Sequence, residues 1–247
     1  MSSWIAPHLL SDSSCLPETC GAEAKAFFDA SCDIDRRAGP DASKDSSPGS
    51  QAGAVEAWAR ASGTLISDEE IDILSVVSNN TSEHEVFYRP WEGRAVKRTW
   101  RGGVYGQIPC PLNGKLDRKN AKPSEYLRRM AFQILLFDSD LKLEGVTISD
   151  KPSMVLFQPT GQPCFVVSQR WFERGGRVTT EDIATFMEDA GFREVKGSYF
   201  GWSRPADGMI VVDAKPDNFI KTAVGLVPID LQMTQFSAIE LRAAGLL

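Results

Sequence analysis

Two short polar segments in the last third of the sequence carry side chains suited to phosphate and metal chemistry. Residues 211–220 contain Asp213, Lys215 and Asn218, and Asp230 follows a later apolar run. Phosphoryl transfer needs positioning and charge neutralisation more than covalent help. We expect Asp213 to orient or deprotonate the acceptor hydroxyl and Lys215 to stabilise charge on the moving phosphoryl group. Asn218 and Asp230 offer the hard oxygen ligands that Mg²⁺ prefers, so the spacing predicts a magnesium-dependent phosphotransfer centre.

Structural roles are the alternative for the same residues. The sequence K-P-D-N within residues 213–218 has good turn chemistry, Asp217 is suited to capping its own loop, and Asp230 alone could cap a strand end. The functional interpretation is favoured because both polar segments occur in order behind an earlier strand lysine, Lys97.

Four motifs resemble those of protein kinases. D-A-K-P-D-N at 213–218 resembles the catalytic loop, and I-D-L at 229–231 resembles the metal-binding Asp motif. R-A-V-K at 94–97 resembles the third-strand lysine motif, and V-V-S-Q-R-W at 166–171 resembles the strand and hinge that bind adenine. Together with S-E-H-E-V before the lysine strand, the set is most similar to the small kinase domain of phage and mobile-element polyvalent proteins. The resemblance covers about residues 65–235.

The resemblance implies a bilobed, kinase-like α+β fold with an antiparallel N-terminal sheet and a reduced C-terminal lobe. Lys97 would contact the α- and β-phosphates of ATP, Glu125 would pair with that lysine, and Gln169 and Trp171 would lie at the adenine hinge. Trp171 and Phe172 could stack on adenine, or they could be core aromatics. ATP and Mg²⁺ are the implied cofactors, and the acceptor is a Ser, Thr or Tyr hydroxyl of a protein or a small-molecule alcohol.

The sequence departs from the kinase pattern in three places. There is no G-x-G-x-x-G loop, and N-N-T-S occupies residues 79–82, where the phosphates would be covered. Val211-Val212 replaces the His-Arg before the catalytic Asp, and only 17 residues follow Asp230. A catalytically inactive pseudokinase that binds nucleotide or a partner therefore stays open as a second hypothesis.

Alternative interpretations also exist for single residues of the predicted site. Arg98 or Arg101 could contact the phosphates in place of the strand lysine. Glu125 and Arg129 are four residues apart, so an ordinary exposed helix pair would explain both. His84 is more typical of a packed or strand-pairing residue than of a catalyst.

Local patterns predict the elements that hold these residues. We expect a disordered or weakly structured arm over residues 1–53, which are rich in Ser, Asp, Pro, Ala and Gly, and a kinase-like domain over 54–247. Helical periodicity predicts helices at 55–61, 123–137 and 179–190. The predicted strands are 85–88, 94–99, 146–148, 154–157, 164–169, 209–212, 219–221 and 226–230. This order of elements predicts an α+β domain with an antiparallel sheet first.

Composition narrows the function classes. The 247 residues carry a net charge of -6, which gives no support to a nucleic-acid binder or a polybasic membrane protein. No segment approaches 18 apolar residues in a row, so we expect no membrane partner. Five cysteines without paired spacing indicate reduced thiols and a cytoplasmic protein. Two histidines are too few for a histidine-rich metal site.

Overall fold

The computed structural model of the chain describes residues 21–44, 48–78, 83–100, 102–151 and 160–247. The predicted strand 154–157, the segment 79–82 and Arg101 lie outside the described residues, as do residues 1–20 of the predicted arm.

Helices are distributed along the whole described chain. In order, its α-helices are Ala22–Lys44 (α1), Ala52–Ser62 (α2), Asp68–Asp72 (α3), Pro123–Phe137 (α4), Thr180–Asp189 (α5) and Ala238–Ala243 (α6). None of these helices is long and apolar enough to cross a membrane.

The strands of the described chain all follow α3. In chain order they are Ser75–Ser78 (β1), His84–Arg89 (β2), Arg94–Thr99 (β3), Gln107–Leu112 (β4), Lys115–Asn120 (β5), Leu141–Ile148 (β6), Pro163–Arg170 (β7), Arg193–Glu194 (β8), Trp202–Arg204 (β9), Met209–Val212 (β10), Phe219–Thr222 (β11), Gly225–Pro228 (β12) and Gln232–Gln235 (β13).

Local signals in the sequence account for where the helices begin. The predicted helix at 123–137 is confirmed as α4, with Pro123 in its first turn. Thr179 caps α5 through a reciprocal capping box with Asp182. Ser67 forms the same arrangement at α3, where its side chain accepts a hydrogen bond from the backbone N–H of Glu70.

A five-stranded antiparallel sheet holds the lysine strand at its centre. The strand order is β1-β2-β3-β7-β6, and the predicted β2–β3 hairpin is confirmed. In this register Lys97 lies opposite Val86 on one side and Val167 on the other.

The polar segments extend from a second group of strands. A four-stranded antiparallel sheet has the order β13-β10-β9-β8, and two separate hairpins are formed by β4–β5 and β11–β12. β10 ends immediately before Asp213, and Asp230 lies between β12 and β13. The predicted α+β class with antiparallel sheets is confirmed. Sequence patterns missed the β4–β5 hairpin, whose strands contain two prolines and four charged residues.

The N-terminal helix contradicts the predicted disordered arm. Residues 22–44 form α1, whose Phe27, Phe28 and Ile34 are fully buried. The Phe28 ring packs edge-on against Phe132 of α4, with 5.5 Å between the ring centroids. The prediction was wrong here because the apolar residues recur at helical spacing, and this periodicity outweighs the polar composition of the segment as a whole.

We expect Phe28→Ala to lower the free energy of unfolding by about 3–5 kcal/mol, because it leaves a cavity between α1 and α4. Urea denaturation of the full chain measures the change. Val224→Ala is the control, since Val224 is 95% exposed. An equal and small effect of both substitutions would show that α1 does not pack on the core.

Candidate functional site

One cleft of about 740 Å³ lies between the five-stranded sheet and the segments that follow β10 and β12. This volume is in the usual range for a small-molecule site. Seven of the eight residues predicted for the site line this cleft, namely Lys97, Gln169, Trp171, Asp213, Lys215, Asn218 and Asp230. The eighth, Glu125, does not line it.

The segment after β10 is a tight polar turn. Asp213 has a φ of 59°, a left-handed conformation that is uncommon outside glycine. Asn218 stabilises it, because its Nδ2 donates to the main-chain oxygen of Asp213 at 2.7 Å and to Oδ2 at 2.8 Å. The predicted turn chemistry is therefore present, and the turn directs the Asp213 carboxylate into the cleft.

Lys215 lies against the same carboxylate. Its Nζ is 3.1 Å from Asp213 Oδ1. Partial burial opposes the positive charge, but the hydrogen bond and negative charge of Asp213 raise the pKa of Lys215 above its ordinary value. Lys215 is therefore a protonated ammonium group at the cleft near neutral pH.

Lys97 extends from β3 toward the segment that carries Asp230. Its Nζ donates a hydrogen bond to the main-chain oxygen of Ile229. Burial lowers the pKa of Lys97, while the charge of Asp230 opposes the shift. Arg98 is excluded as the alternative phosphate contact, because its buried guanidinium pairs with Glu85 and Asp68 outside the residues lining the cleft.

Glu125 does not reach Lys97, so the predicted pair is wrong. Its carboxylate accepts hydrogen bonds from the Lys122 backbone N–H and from Lys119 Nζ, both at 2.8 Å. These contacts cap the first turn of α4. Pro123 at the first helical position and Glu125 two residues later form a helix-start signal, which could have been recognised from the sequence.

Arg129 takes the interior position on α4 instead. Its Nη2 lies 2.6 Å from Asp230 Oδ1 and 2.7 Å from Glu83 Oε2, and its Nε donates to the Leu231 main-chain oxygen at 2.7 Å. The side chain is fully buried. The alternative of an exposed Glu125–Arg129 pair is therefore also wrong, and Arg129 and Glu83 are site residues that the sequence reasoning missed.

The pKa values of the two carboxylates that contact Arg129 shift in opposite directions. Burial raises the pKa of Glu83, and the charge of Asp230 adds to this shift. Burial would also raise the pKa of Asp230, but the basic groups His84, Arg129 and Lys97 together lower it below its ordinary value. Asp230 is therefore the carboxylate that stays ionised at the cleft.

His84 is buried beside this cluster, in agreement with the packed role that the sequence favoured. Its Nε2 is 3.0 Å from the Tyr126 hydroxyl oxygen, and its Nδ1 is 3.9 Å from Asp230 Oδ2. Burial lowers the pKa of His84 to about 3. The imidazole is therefore neutral in the folded protein near neutral pH.

The oxygen donors at the cleft fit the hard-ligand preference of Mg²⁺. Asp230 supplies an ionised carboxylate, and Asn218 is the second predicted ligand on the cleft wall. Ligand atoms of Glu83, His84 and Asp230 also lie within 4.8 Å of one another. Since Arg129 holds Oδ1 of Asp230, the carboxylate offers the cleft chiefly its other oxygen.

An aromatic and an amide side chain, those of Trp171 and Gln169, line the opposite end of the cleft. The Trp171 ring lies 4.9 Å from that of Tyr88, and its backbone N–H donates to the Gly93 oxygen at 2.8 Å. Gln169 is 5% exposed, and its Oε1 accepts no hydrogen bond from the residues that the structure describes. A buried acceptor on the wall of a cleft is open to a hydrogen bond from water or from a bound ligand.

Comparison with protein-family models, curated proteins and solved structures finds no match for this chain.

We expect Arg129→Met to lower the free energy of unfolding by about 3–5 kcal/mol, because Glu83 and Asp230 would lose the charge that compensates them. Adding Glu83→Gln to this variant should recover part of the loss. Arg60→Met is the control, since Arg60 forms an exposed pair with Glu56. Equal denaturation curves for Arg129→Met and Arg60→Met would contradict the proposed charge network.

We expect the His84 imidazole to stay neutral between pH 5 and 8, since its pKa falls from 6.5 to about 3 on burial. NMR of a His8→Ala variant, which leaves one histidine, should show ring shifts independent of pH in this range. The unfolded chain binds a proton that the folded chain does not, so this histidine lowers stability as the pH falls from 7 to 5. A titration midpoint near 6.5 would contradict the prediction.

Proposed function

We propose that this chain is an ATP- and Mg²⁺-dependent phosphotransferase that moves the γ-phosphate to a hydroxyl acceptor. The observation that carries the proposal is the meeting of Lys97, Asp213, Lys215, Asn218 and Asp230 in one cleft. Lys97 is far in sequence from the other four residues, and Asp230 lies outside the turn formed by residues 213–218. A purely local turn role for each residue would not require them to meet.

The chain supplies a separate role for each side chain around the transferred group. Asp213 accepts the proton of the acceptor hydroxyl, and its orientation is fixed by the amide of Asn218. Lys215 neutralises charge on the phosphoryl group as it moves. Mg²⁺ at Asp230 and Asn218 would neutralise the phosphate oxygens and align them for in-line transfer.

The rest of the cleft offers contacts suited to a nucleotide. Lys97 would contact the α- and β-phosphates, and a phosphate beside it would favour its protonated form. Trp171 offers an aromatic face to the base. The buried Oε1 of Gln169 is suited to accept a hydrogen bond from the exocyclic amine of adenine.

The proposed function implies a division of the fold into two lobes. In a kinase-like bilobed arrangement, the five-stranded sheet and α4 would be the N-terminal lobe, and the strands from β8 onward would be a reduced C-terminal lobe. The antiparallel pairing of β2, β3 and β7 and the position of α4 between β3 and β6 in the chain support this arrangement.

A nucleotide-binding pseudokinase is the second candidate, and it too is supported by a specific observation. Arg129 occupies one oxygen of Asp230, and Glu125 pairs with Lys119 rather than with Lys97, as the pair typical of active kinases would require. A protein with this arrangement could bind nucleotide without turning it over.

Transfer of radiolabelled γ-phosphate from ATP with Mg²⁺ tests the proposal. We expect phosphate on the protein itself or on a generic protein acceptor, and a loss of about 10²–10⁴-fold in Asp213→Asn, which lacks the proton acceptor. Asp230→Asn should also lose transfer.

Asp189→Asn is the matched control, because Asp189 is exposed on α5 and does not line the cleft. Nucleotide binding without transfer would favour the pseudokinase. Absence of both would overturn the proposed function.

A further inference from the structure

A second pocket, of about 460 Å³, lies beside the segment that carries Asp213. It lies between the β4–β5 hairpin and the loop at residues 197–199, and we call it the hairpin pocket. Val212, the residue before Asp213, forms part of its wall. Asp213 therefore lines the cleft, and its neighbour in the chain lines the hairpin pocket.

Backbone hydrogen bonds connect the wall of the hairpin pocket to the Asp213 segment. The N–H of Asp213 donates to the Tyr199 oxygen at 3.3 Å, and the N–H of Ala214 donates to the Phe200 oxygen at 3.2 Å. On the opposite wall, Leu116 packs in the same apolar cluster as Val212. A molecule in this pocket would thus be held at a defined distance from the Asp213 carboxylate.

Arg118 is the residue that joins the hairpin pocket to Asp213. Its guanidinium carbon lies 4.6 Å from the centre of the Tyr199 ring, and its NH1 is 4.0 Å from Asp213 Oδ1. The side chain is 31% exposed, so it is ordered by its neighbours but still open to a ligand. Asp213 Oδ1 consequently lies near two cations, Lys215 on the cleft side and Arg118 on the pocket side.

The hairpin pocket carries a positive balance of charge. Lys115 and Arg118 line it together with a single carboxylate, that of Asp117, which accepts a hydrogen bond from the Arg118 backbone N–H at 2.8 Å. This local excess contrasts with the net charge of -6 for the chain. Guanidinium and ammonium groups are the usual partners of carboxylate and phosphate groups in proteins.

We propose that the hairpin pocket is the acceptor site and that it selects a hydroxyl acceptor carrying an anionic group. This inference rests on the proposed phosphotransferase function. The anionic group would bind Arg118 and Lys115, which would place the neighbouring hydroxyl at Asp213. A carboxylate of an acidic peptide and a phosphate of a small alcohol share this chemistry.

In the proposed transfer, the γ-phosphoryl group moves from ATP to the acceptor hydroxyl. The acceptor oxygen attacks the γ-phosphorus of ATP, and a new O–P bond forms as the bond from that phosphorus to the β–γ bridging oxygen breaks. ADP leaves with the bonding electron pair. The acceptor proton passes to Asp213 and then to water.

The test compares two fluorescein-labelled serine peptides of equal length, one with Asp and Glu around the serine and one with Asn and Gln. Binding is measured by anisotropy with Mg²⁺ and a non-hydrolysable ATP analogue, and transfer with radiolabelled ATP. We expect the acidic peptide to bind and react at least about tenfold better. Arg118→Ala should remove this preference and Arg118→Lys should restore part of it.

Lys119→Ala is the matched control, because Lys119 lies on the same hairpin but pairs with Glu125 outside the pocket. Glycerol 3-phosphate and glycerol form a second pair. Preference for glycerol 3-phosphate alone would identify a small anionic alcohol as the acceptor, whereas preference for the acidic peptide alone would identify a peptide.

The outcomes separate the two proposals. Transfer that ignores acceptor charge, or a preference that survives Arg118→Ala, would overturn the hairpin pocket as the selective acceptor site and leave the phosphotransferase standing. Arg118-dependent binding of anionic acceptors without any transfer would overturn the phosphotransferase and keep the anion site. Equal or undetectable binding of both members of each pair would overturn the inference.

Discussion

The buried charge of Arg129 is the constraint on which the site depends. A fully buried guanidinium is costly unless its charge and donors are matched, and here Glu83, Asp230 and the Leu231 oxygen provide the match. Glu83 directly precedes β2, and Asp230 and Leu231 follow β12. The Arg129 side chain can therefore be buried in this way only when both segments are in place. The same contacts bring Asp230 next to Lys97 and thereby form the wall of the cleft.

Helix α4 is held in place by α1, a segment that carries none of the kinase-like motifs. Helix α1 packs along α4 through Phe27 and Phe28, and Asp35 pairs with Arg128, the neighbour of Arg129. Packing against α1 therefore restricts movement of α4, and through Arg129 it also restricts Asp230. The cleft is consequently a property of the whole fold and not of the two polar segments alone.

The sequence predicts the site residues that are marked by a local pattern. The spacing of Asp213 and Asn218 specifies one turn, and Lys97 lies in a clear strand, so all three were predicted and all three line the cleft. Arg129 and Glu125 are one helical turn apart beside the same apolar stripe, and periodicity cannot tell which one is buried. The choice depends on partners up to 102 residues away in sequence, and on the helix-start contacts that Glu125 makes.

Isothermal titration calorimetry of the full chain with a non-hydrolysable ATP analogue tests the central claim that the cleft is a nucleotide site. The account predicts one binding site per chain that is strengthened by Mg²⁺ and weakened at least about tenfold in Lys97→Ala, which removes a phosphate contact. The exposed Lys142 of β6 provides the matched control, and Lys142→Ala should bind as the native protein does. Absence of binding, or equal affinity in both lysine variants, would contradict the account.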